Sequence, residues 1–309
     1  MSSENSCSAC YPPALREPAY GKLNLTLDVL GKRPDGYHDL RMVMCSVELH
    51  DDISVEPGAG EESCLAGADD GRPCGVDGIP QGAENLAFRA ARAFFDAAGF
   101  APDGFSIRIV KRIPAQAGMA GGSSDAAAVL RALNRHYGAF SDTELRQIGL
   151  RVGSDVPYCL FGGTALAEGR GERLTRLPSL PGGLAFVLVK PEFSVSTPAL
   201  FRALDEDAAA RSKEASAAML DALERGDSAA IGKALSNDFA PVLAREYPVV
   251  AEVKQALVTH GALGSELTGT GSVIYGLFSD RTAAVLAAQA LSSQYPFTAV
   301  AAAVEANPA

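Results

Sequence analysis

The residues with the clearest chemistry run from Pro114, Ala115, Gln116, Ala117 and Gly118 through Met119, Ala120, Gly121, Gly122, Ser123 and Ser124 into an alanine-rich segment. Glycine at 118, 121 and 122 permits positive φ and lets a ligand approach the backbone closely. Ser123 and Ser124 are good N-cap residues for the helix that the alanines predict from about Ser124 to Tyr137. Unpaired N–H groups and the dipole at such a helix start favour an anion, most often phosphate. The loop has neither the lysine of a Walker A motif nor the Gly-x-Gly-x-x-Gly spacing of a dinucleotide turn. A strand-to-helix turn without a ligand is the competing interpretation, and the loop alone leaves both open.

Other polar residues stand on elements that could carry them to one place. From Tyr20 to Val29, Lys22, Asn24, Thr26 and Asp28 alternate with Leu23, Leu25, Leu27 and Val29. That period of two predicts a half-buried strand. Its polar face is either the solvated outside of a sheet or a cleft wall bearing Lys22 and Asn24. Pro34-Asp35-Gly36 predicts a turn, with Tyr37 and His38 just after it. Residues 42–49 and 52–56 read as two strands separated by a polar break. Residues 57–82 read as a surface excursion, and 84–98 as a helix capped by Gly99. Phe105, Ile107 and Ile109 mark a strand that passes through Lys111 into the glycine loop. Ser141 to Glu144 is a capping box. Gly153-Ser-Asp-Val-Pro157 sets Asp155 in a loop or at a helix start. Thr197 is the expected N-cap of the next helix, with Pro198 in its first turn. Helices are expected near 212–224, 227–236, 248–259 and 282–292. Strands are expected at 184–189, 273–278 and 297–304. The second small-residue loop, Leu267 to Ser272, precedes one of these strands.

The chain has 309 residues, 47% of them hydrophobic, and a formal net charge of -10. That length supports two domains or one large one. The acidic balance argues against general affinity for nucleic acid or anionic membrane. The apolar runs are strand-length and the first residues lack a signal-peptide core, so a cytoplasmic location is expected. Cysteines at 7, 10, 45, 64, 74 and 159 include one Cys-x-x-Cys pair, Cys7 and Cys10, without a second pair to complete a zinc site. Reduced thiols are the expectation. Strands interleaved with helices in both halves predict an α+β or α/β protein. The Pro/Gly cluster at 177–183 predicts a boundary between an N-terminal domain at 18–178 and a C-terminal domain at 184–309, after a flexible tail at 1–17.

Taken together, the glycine loop and its companions resemble the GHMP small-molecule kinases. The matching segments are Ala19-Tyr-Gly-Lys-Leu-Asn-Leu-Thr-Leu27, Gly31-Lys-Arg-Pro-Asp-Gly-Tyr-His38, Gly153-Ser-Asp-Val-Pro157 and Thr197-Pro-Ala-Leu-Phe201. The resemblance spans roughly residues 18 to 305. Within the family, all four segments resemble the branch acting on a cytidylyl methylerythritol. The resemblance implies an α+β fold of two domains, the first like ribosomal protein S5 domain 2 and the second a ferredoxin-like α/β plait. It implies ATP as phosphoryl donor with Mg²⁺, small-molecule partners, and a monomer or homodimer. Asp155 is then the base or orienting acceptor for the substrate hydroxyl, and Lys22 neutralises the transferring group and keeps Asp155 ionised. Residues 114–124 would wrap the ATP phosphates, with Ala115, Ala117 and Ala120 small enough to keep the loop compact and Ser124 a possible metal ligand. Asn85, Leu86 and Lys111 would lie near the nucleoside of ATP. Tyr37 and Phe201 would stack on the cytosine, His38 would read its edge, and Asn24 and Thr197 would hold the polar part of the substrate. Asp125 stands where some members have asparagine, and an acidic residue in the first helical turn suits the dipole. Mevalonate- or homoserine-type kinases and a non-catalytic nucleotide-binding module remain the alternatives.

Overall fold

The computed structural model describes residues 14–57, 61–67, 79–100, 104–193, 195–207 and 215–305. Cys7, Cys10, Cys74 and most of the expected tail lie outside the described residues. Two long strands set the frame. β1 (Leu15–Lys32) and β2 (His38–Pro57) form an antiparallel hairpin. Its turn is closed by Arg33 N donating to Tyr37 O at 2.7 Å and Gly36 N donating to Arg33 O at 3.1 Å. The polar break expected near residue 51 does not interrupt β2. Asp51 turns inward and its Oδ1 accepts from the N–H groups of Arg112 and Ile113, at 2.5 and 2.8 Å. A carboxylate bonded in this way needs no water, so the strand continues past it.

β2 is the hub of the sheet. It pairs with β1, β4 (Phe105–Lys111), β5 (Ala165–Gly169) and β11 (Phe297–Val304). From β11 the order continues through β7 (Ala185–Lys190) and β10 (Ile274–Phe278) to β9 (Gly264–Leu267). β6 (Arg173–Arg176) adds to β5, and the two-residue β8 (Ser236–Asn237) adds to β1. β3 (Glu61–Gly67) pairs in parallel with β4. The described part of the expected 57–82 excursion is therefore largely a strand of the sheet. Residues 58–60 and 68–78 lie outside the described residues.

Helices α1 (Leu86–Ala98), α2 (Gly121–Tyr137), α3 (Asp142–Val152) and α4 (Val156–Phe161) form one group. Gly99 ends α1 at φ 72, and Ser141 and Glu144 make the reciprocal capping box of α3. Phe94 and Phe95 on α1 meet Tyr137, Phe140 and Phe105 at ring distances of 5.1 to 6.1 Å. Each such buried ring contributes about 1.5–3 kcal/mol. The second half carries α5 (Thr197–Glu206), α6 (Ala215–Arg225), α7 (Ser228–Ala234), α8 (Phe239–Glu246), α9 (Val249–Thr259) and α10 (Arg281–Leu291). The pattern gave no warning of α8. Pro241 falls in the first turn of the helix, where a missing N–H costs nothing.

β1 departs from the half-buried strand that its alternation predicts. Lys22, Asn24, Thr26 and Asp28 are all 4% exposed or less. The second half of the chain covers the polar face and supplies its partners. Thr26 Oγ1 lies 2.8 Å from Ser216 Oγ, Ser216 N donates to Asp28 Oδ2 at 3.1 Å, and Tyr275 OH donates to Asn24 O at 2.7 Å.

Candidate active site

The two glycine loops pack against each other. Ser272 N and Val273 N donate to Gln116 O and Ala117 O, both at 3.2 Å, and Lys22 N donates to Met119 O at 3.1 Å. Gly118 sits at φ 71, where a Cβ would lie 2.1 Å from Thr268 O. Gly121 and Gly122 do not use positive φ as expected. They are the first residues of α2, and Gln116 and Ala120 take the left-handed positions at φ 52 and 58. Ala120 is the N-cap and makes no side-chain bond to the helix start. The first-turn N–H groups are thus left for a ligand.

This early start also corrects the serines, neither of which caps α2. Ser123 faces the cavity, whereas the buried Ser124 donates its Oγ to Tyr20 O at 2.6 Å. Successive helical residues point about 100° apart, so only one of the pair can face the ligand. Ser124 is therefore removed as a metal ligand. Every other residue expected at the site lines one cavity of about 1050 Å³, and the loop does so without a break from Pro114 and Ala115 to Ser123.

At the centre of the cavity, Lys22 Nζ donates to Asn24 Oδ1 at 2.6 Å and to Gly118 O at 2.7 Å. Asn24 Oδ1 also accepts from Gly269 N at 3.0 Å, and its Nδ2 donates to Met42 Sδ at 3.3 Å. Asn24 joins the lysine to both loops, so its amide is committed within the protein. Burial pushes the Lys22 ammonium below the usual lysine range, and the charge on Asp155 opposes that fall. Asp155 occupies the N-cap position of α4 but makes no cap bond with its side chain. Its carboxylate lines the cavity uncommitted.

At the expected nucleoside end the side chains are more occupied than anticipated. Asn85 Oδ1 accepts from Ala87 N at 2.9 Å to cap α1, and its Nδ2 donates to Pro80 O at 2.8 Å. Lys111 Nζ donates to Asp51 Oδ2 at 2.5 Å and to Asp125 Oδ2 at 2.8 Å. All three of these residues are 3% exposed or less. Burial disfavours the Lys111 ammonium, but Asp125 and Asp51 more than offset this and raise it to about 12. Burial pushes the Asp125 carboxyl up to about 8, against the pull of Lys111. Lys111 ties β2, β4 and α2 together, so its charge is not free for a nucleotide. Asp125 meets this lysine and lies beyond the first turn of α2.

At the other end, His38 stacks on Phe201 with ring centroids 4.5 Å apart and planes 20° apart. His38 Nε2 lies 2.8 Å from Asp205 Oδ1, and Asp205 Oδ2 accepts from Lys32 Nζ at 3.1 Å. An ionised carboxylate only accepts, so Nε2 carries a proton and donates it to Asp205. Tyr37 is 52% exposed, and the Arg170 guanidinium lies over its ring. The Tyr37–Phe201 pair expected around a base is therefore already partnered, Phe201 by His38 and Tyr37 by Arg170. Thr197 is the first helical residue of α5 rather than its N-cap, which is Ser196. Its Oγ1 lies 3.0 Å from Thr270 Oγ1 in the second glycine loop.

The family models for the GHMP kinase N-terminal and C-terminal domains match residues 85–163 and 219–296. The chain is 48% identical over 266 residues to 4-diphosphocytidyl-2-C-methyl-D-erythritol kinase of Pelotomaculum thermopropionicum, covering 85% of this chain and 88% of that protein. The chain belongs to the GHMP kinase family. Within it, the chain belongs with the kinases bearing that name. The Symbiobacterium thermophilum protein of the same name is 45% identical, with 85% of this chain and 90% of that one covered. A crystal structure of 4-(cytidine 5'-diphospho)-2C-methyl-D-erythritol kinase superposes with a TM-score of 0.74 at 34% identity, over 93% of this chain and 98% of that one. Homoserine kinase from Cytophaga hutchinsonii superposes at a TM-score of 0.73 with 18% identity, over 99% of this chain and 97% of that one, a likeness of fold alone.

Sequence reasoning missed several residues of this GHMP kinase site. Asp205 lies four residues after Phe201 on one helix, so helical spacing from the aromatic would have found it. Asp51 was visible as a charge inside a strand, but its partner Lys111 is distant in sequence and adjacent only through the β2–β4 pairing. Thr268 donates through Oγ1 to Gly118 O at 3.3 Å and accepts from Asn24 N at 3.1 Å. No local signal marks those bonds. Among the described residues no group of three His, Cys, Asp or Glu could hold a metal ion.

Proposed function

We propose that this GHMP kinase transfers the γ-phosphoryl group of ATP to the 2-hydroxyl of 4-diphosphocytidyl-2-C-methyl-D-erythritol, a step towards isoprenoid precursors by the non-mevalonate route. The observation that carries the reading is the position of Lys22. Its buried ammonium is bonded to the first glycine loop and lies within the electrostatic reach of Asp155. The uncapped start of α2 and the loop before it bind the ATP phosphates. Lys22 stabilises negative charge on the group in flight. Asp155, uncommitted in the cavity, accepts a hydrogen bond from the acceptor hydroxyl and takes its proton as the bond to phosphorus forms. Phosphoryl transfer asks for such positioning and charge stabilisation. Mg²⁺ would travel with the nucleotide phosphates, which asks for few protein ligands. When bound it neutralises phosphate charge.

At the acceptor end, His38 with Phe201 and Tyr37 recognises the cytosine, and Thr197 holds a polar group of the substrate. Leu86 packs near the adenosine. We place the domain boundary between residues 178 and 184 and the enzyme in the cytoplasm. Among the described residues no helix is long and apolar enough to cross a membrane. ADP release with Mg-ATP tests the reaction, comparing 4-diphosphocytidyl-2-C-methyl-D-erythritol with mevalonate and homoserine. Turnover confined to the cytidylyl substrate is expected. Turnover of mevalonate or homoserine instead would overturn the acceptor.

A further inference from the structure

Arg170 lies in the β5–β6 turn, Gly169-Arg-Gly-Glu172, at the acceptor end of the cavity. Gly169 and Gly171 take φ of 74 and 108, and Glu172 Oε2 accepts from Arg170 N at 2.6 Å. The acidic side chain is folded back onto its own turn. The guanidinium is sent to Tyr37, 3.7 Å from the ring centroid. The nearby carboxylates have other bonded partners, Glu172 the turn and Asp35 the Arg33 guanidinium, and Asp35 feels the Arg170 charge only at longer range. Among the described residues Arg170 forms no ion pair, and its Nε is buried without a hydrogen-bond partner. Lys32, in the same wall, is already neutralised by Asp205.

A cation with no salt bridge among the described residues, in a cavity of a chain with net charge -10, is a seat for an anion. Stacking uses the face of a guanidinium and leaves its in-plane N–H donors free for a two-pronged contact with phosphate. We infer that Arg170 binds the diphosphate of the acceptor substrate, with Tyr37 holding the guanidinium in place. The inference rests on the acceptor proposed above. It adds a residue that reads the charged middle of that molecule, separate from the aromatic residues at its base.

The test is calorimetric binding of cytidine and of cytidine diphosphate to the wild type, Arg170→Ala and Arg170→Lys, alongside steady-state kinetics. Arg170→Ala is expected to weaken cytidine diphosphate by about ten-fold or more, the scale of one charged hydrogen bond. Cytidine should bind as before, KM for ATP should hold, and the salt dependence of diphosphate binding should flatten. Arg170→Lys should recover part of the loss as a point charge. Equal weakening of both ligands would mean that Arg170 only props the aromatic ring, and would overturn the inference. So would unchanged binding of the diphosphate, or no binding of it by the wild type. Wild-type binding of cytidine diphosphate without turnover of the cytidylyl substrate would instead sink the proposed reaction. The Arg170 inference would then stand or fall on the two ligands' ratio.

Discussion

Replacing Gly118 with alanine tests whether the two glycine loops form one unit. The new Cβ would start 2.1 Å from Thr268 O and 3.1 Å from both the N and O of Gly271, all backbone atoms. No flexible side chain is present to yield, so the loops must separate. Holding alanine at φ 71 costs about 1–2 kcal/mol. Overfilling a packed contact costs about 1–3 kcal/mol more. The expected destabilisation is about 2–5 kcal/mol, a large part of a typical folding free energy. Turnover should fall as well, because Gly118 O is an acceptor for Lys22 Nζ. Gly122→Ala is the matched control. Its Cβ meets only Leu86 Cδ1 at 3.5 Å, and it sits in regular helix. That variant should keep its stability or gain up to about 1 kcal/mol from helix propensity. It should lose ATP affinity if the ligand approaches the backbone there. Urea unfolding followed by far-ultraviolet circular dichroism gives both stabilities, and ATP titration gives the affinity. A Gly118→Ala protein as stable as wild type, or a Gly122→Ala protein equally destabilised, would refute the reasoning.

Asp155→Asn should lower kcat by about 10²–10⁴-fold while KM for ATP stays nearly unchanged. Wild-type turnover would remove Asp155 from the mechanism. The same change withdraws the charge that opposes the burial of Lys22, so the alkaline limb of the residual pH–rate profile should move to lower pH. Asp125, pushed up to about 8 from 3.8, holds a proton in the fold that the unfolded chain releases, so its contribution to stability is full below 3.8 and lost as pH rises through about 8. Unfolding free energies of Asp125→Asn should therefore fall less than those of wild type between roughly pH 4 and 8, and parallel curves would contradict this. Phe201→Ala removes the ring stacked on His38 and should raise KM for the cytidylyl substrate by about ten- to a hundred-fold, with a smaller change for ATP. Asp205→Ala should act in the same direction by freeing the His38 tautomer, and equal changes in both KM values would speak against either role.

On the proposed function, the cavity would serve two anionic substrates in an acidic protein, with a polarity that is local. The proposed donor end offers backbone N–H groups at the start of α2. The centre relies on one buried ammonium. The proposed acceptor end is lined by side chains from the β1–β2 turn, the β5–β6 turn and α5. Thr197 and Thr270, whose hydroxyls lie 3.0 Å apart, also line the cavity.

Much of this was legible in the amino-acid order because the signals are local. Period-two alternation marked the strands, Gly99 and the Ser141–Glu144 box marked helix ends, and the glycine loop announced a helix start suited to an anion. The spaced segments around Lys22, His38, Asp155 and Thr197 carried the family and the expected site. Only the tertiary structure decided which face of β1 is buried. Alternation gives a strand its two sides but cannot say what covers them, and here α6 and β10 cover the polar one. The helix phase separating Ser123 from Ser124 depended on a cap at Ala120 with no side-chain signal. The Asp51–Lys111–Asp125 cluster, the Asp205 brace on His38 and the Arg170–Tyr37 stack needed the fold as well. Each joins residues that are neighbours only because strand pairing and helix packing bring distant parts of the chain within hydrogen-bonding or stacking range.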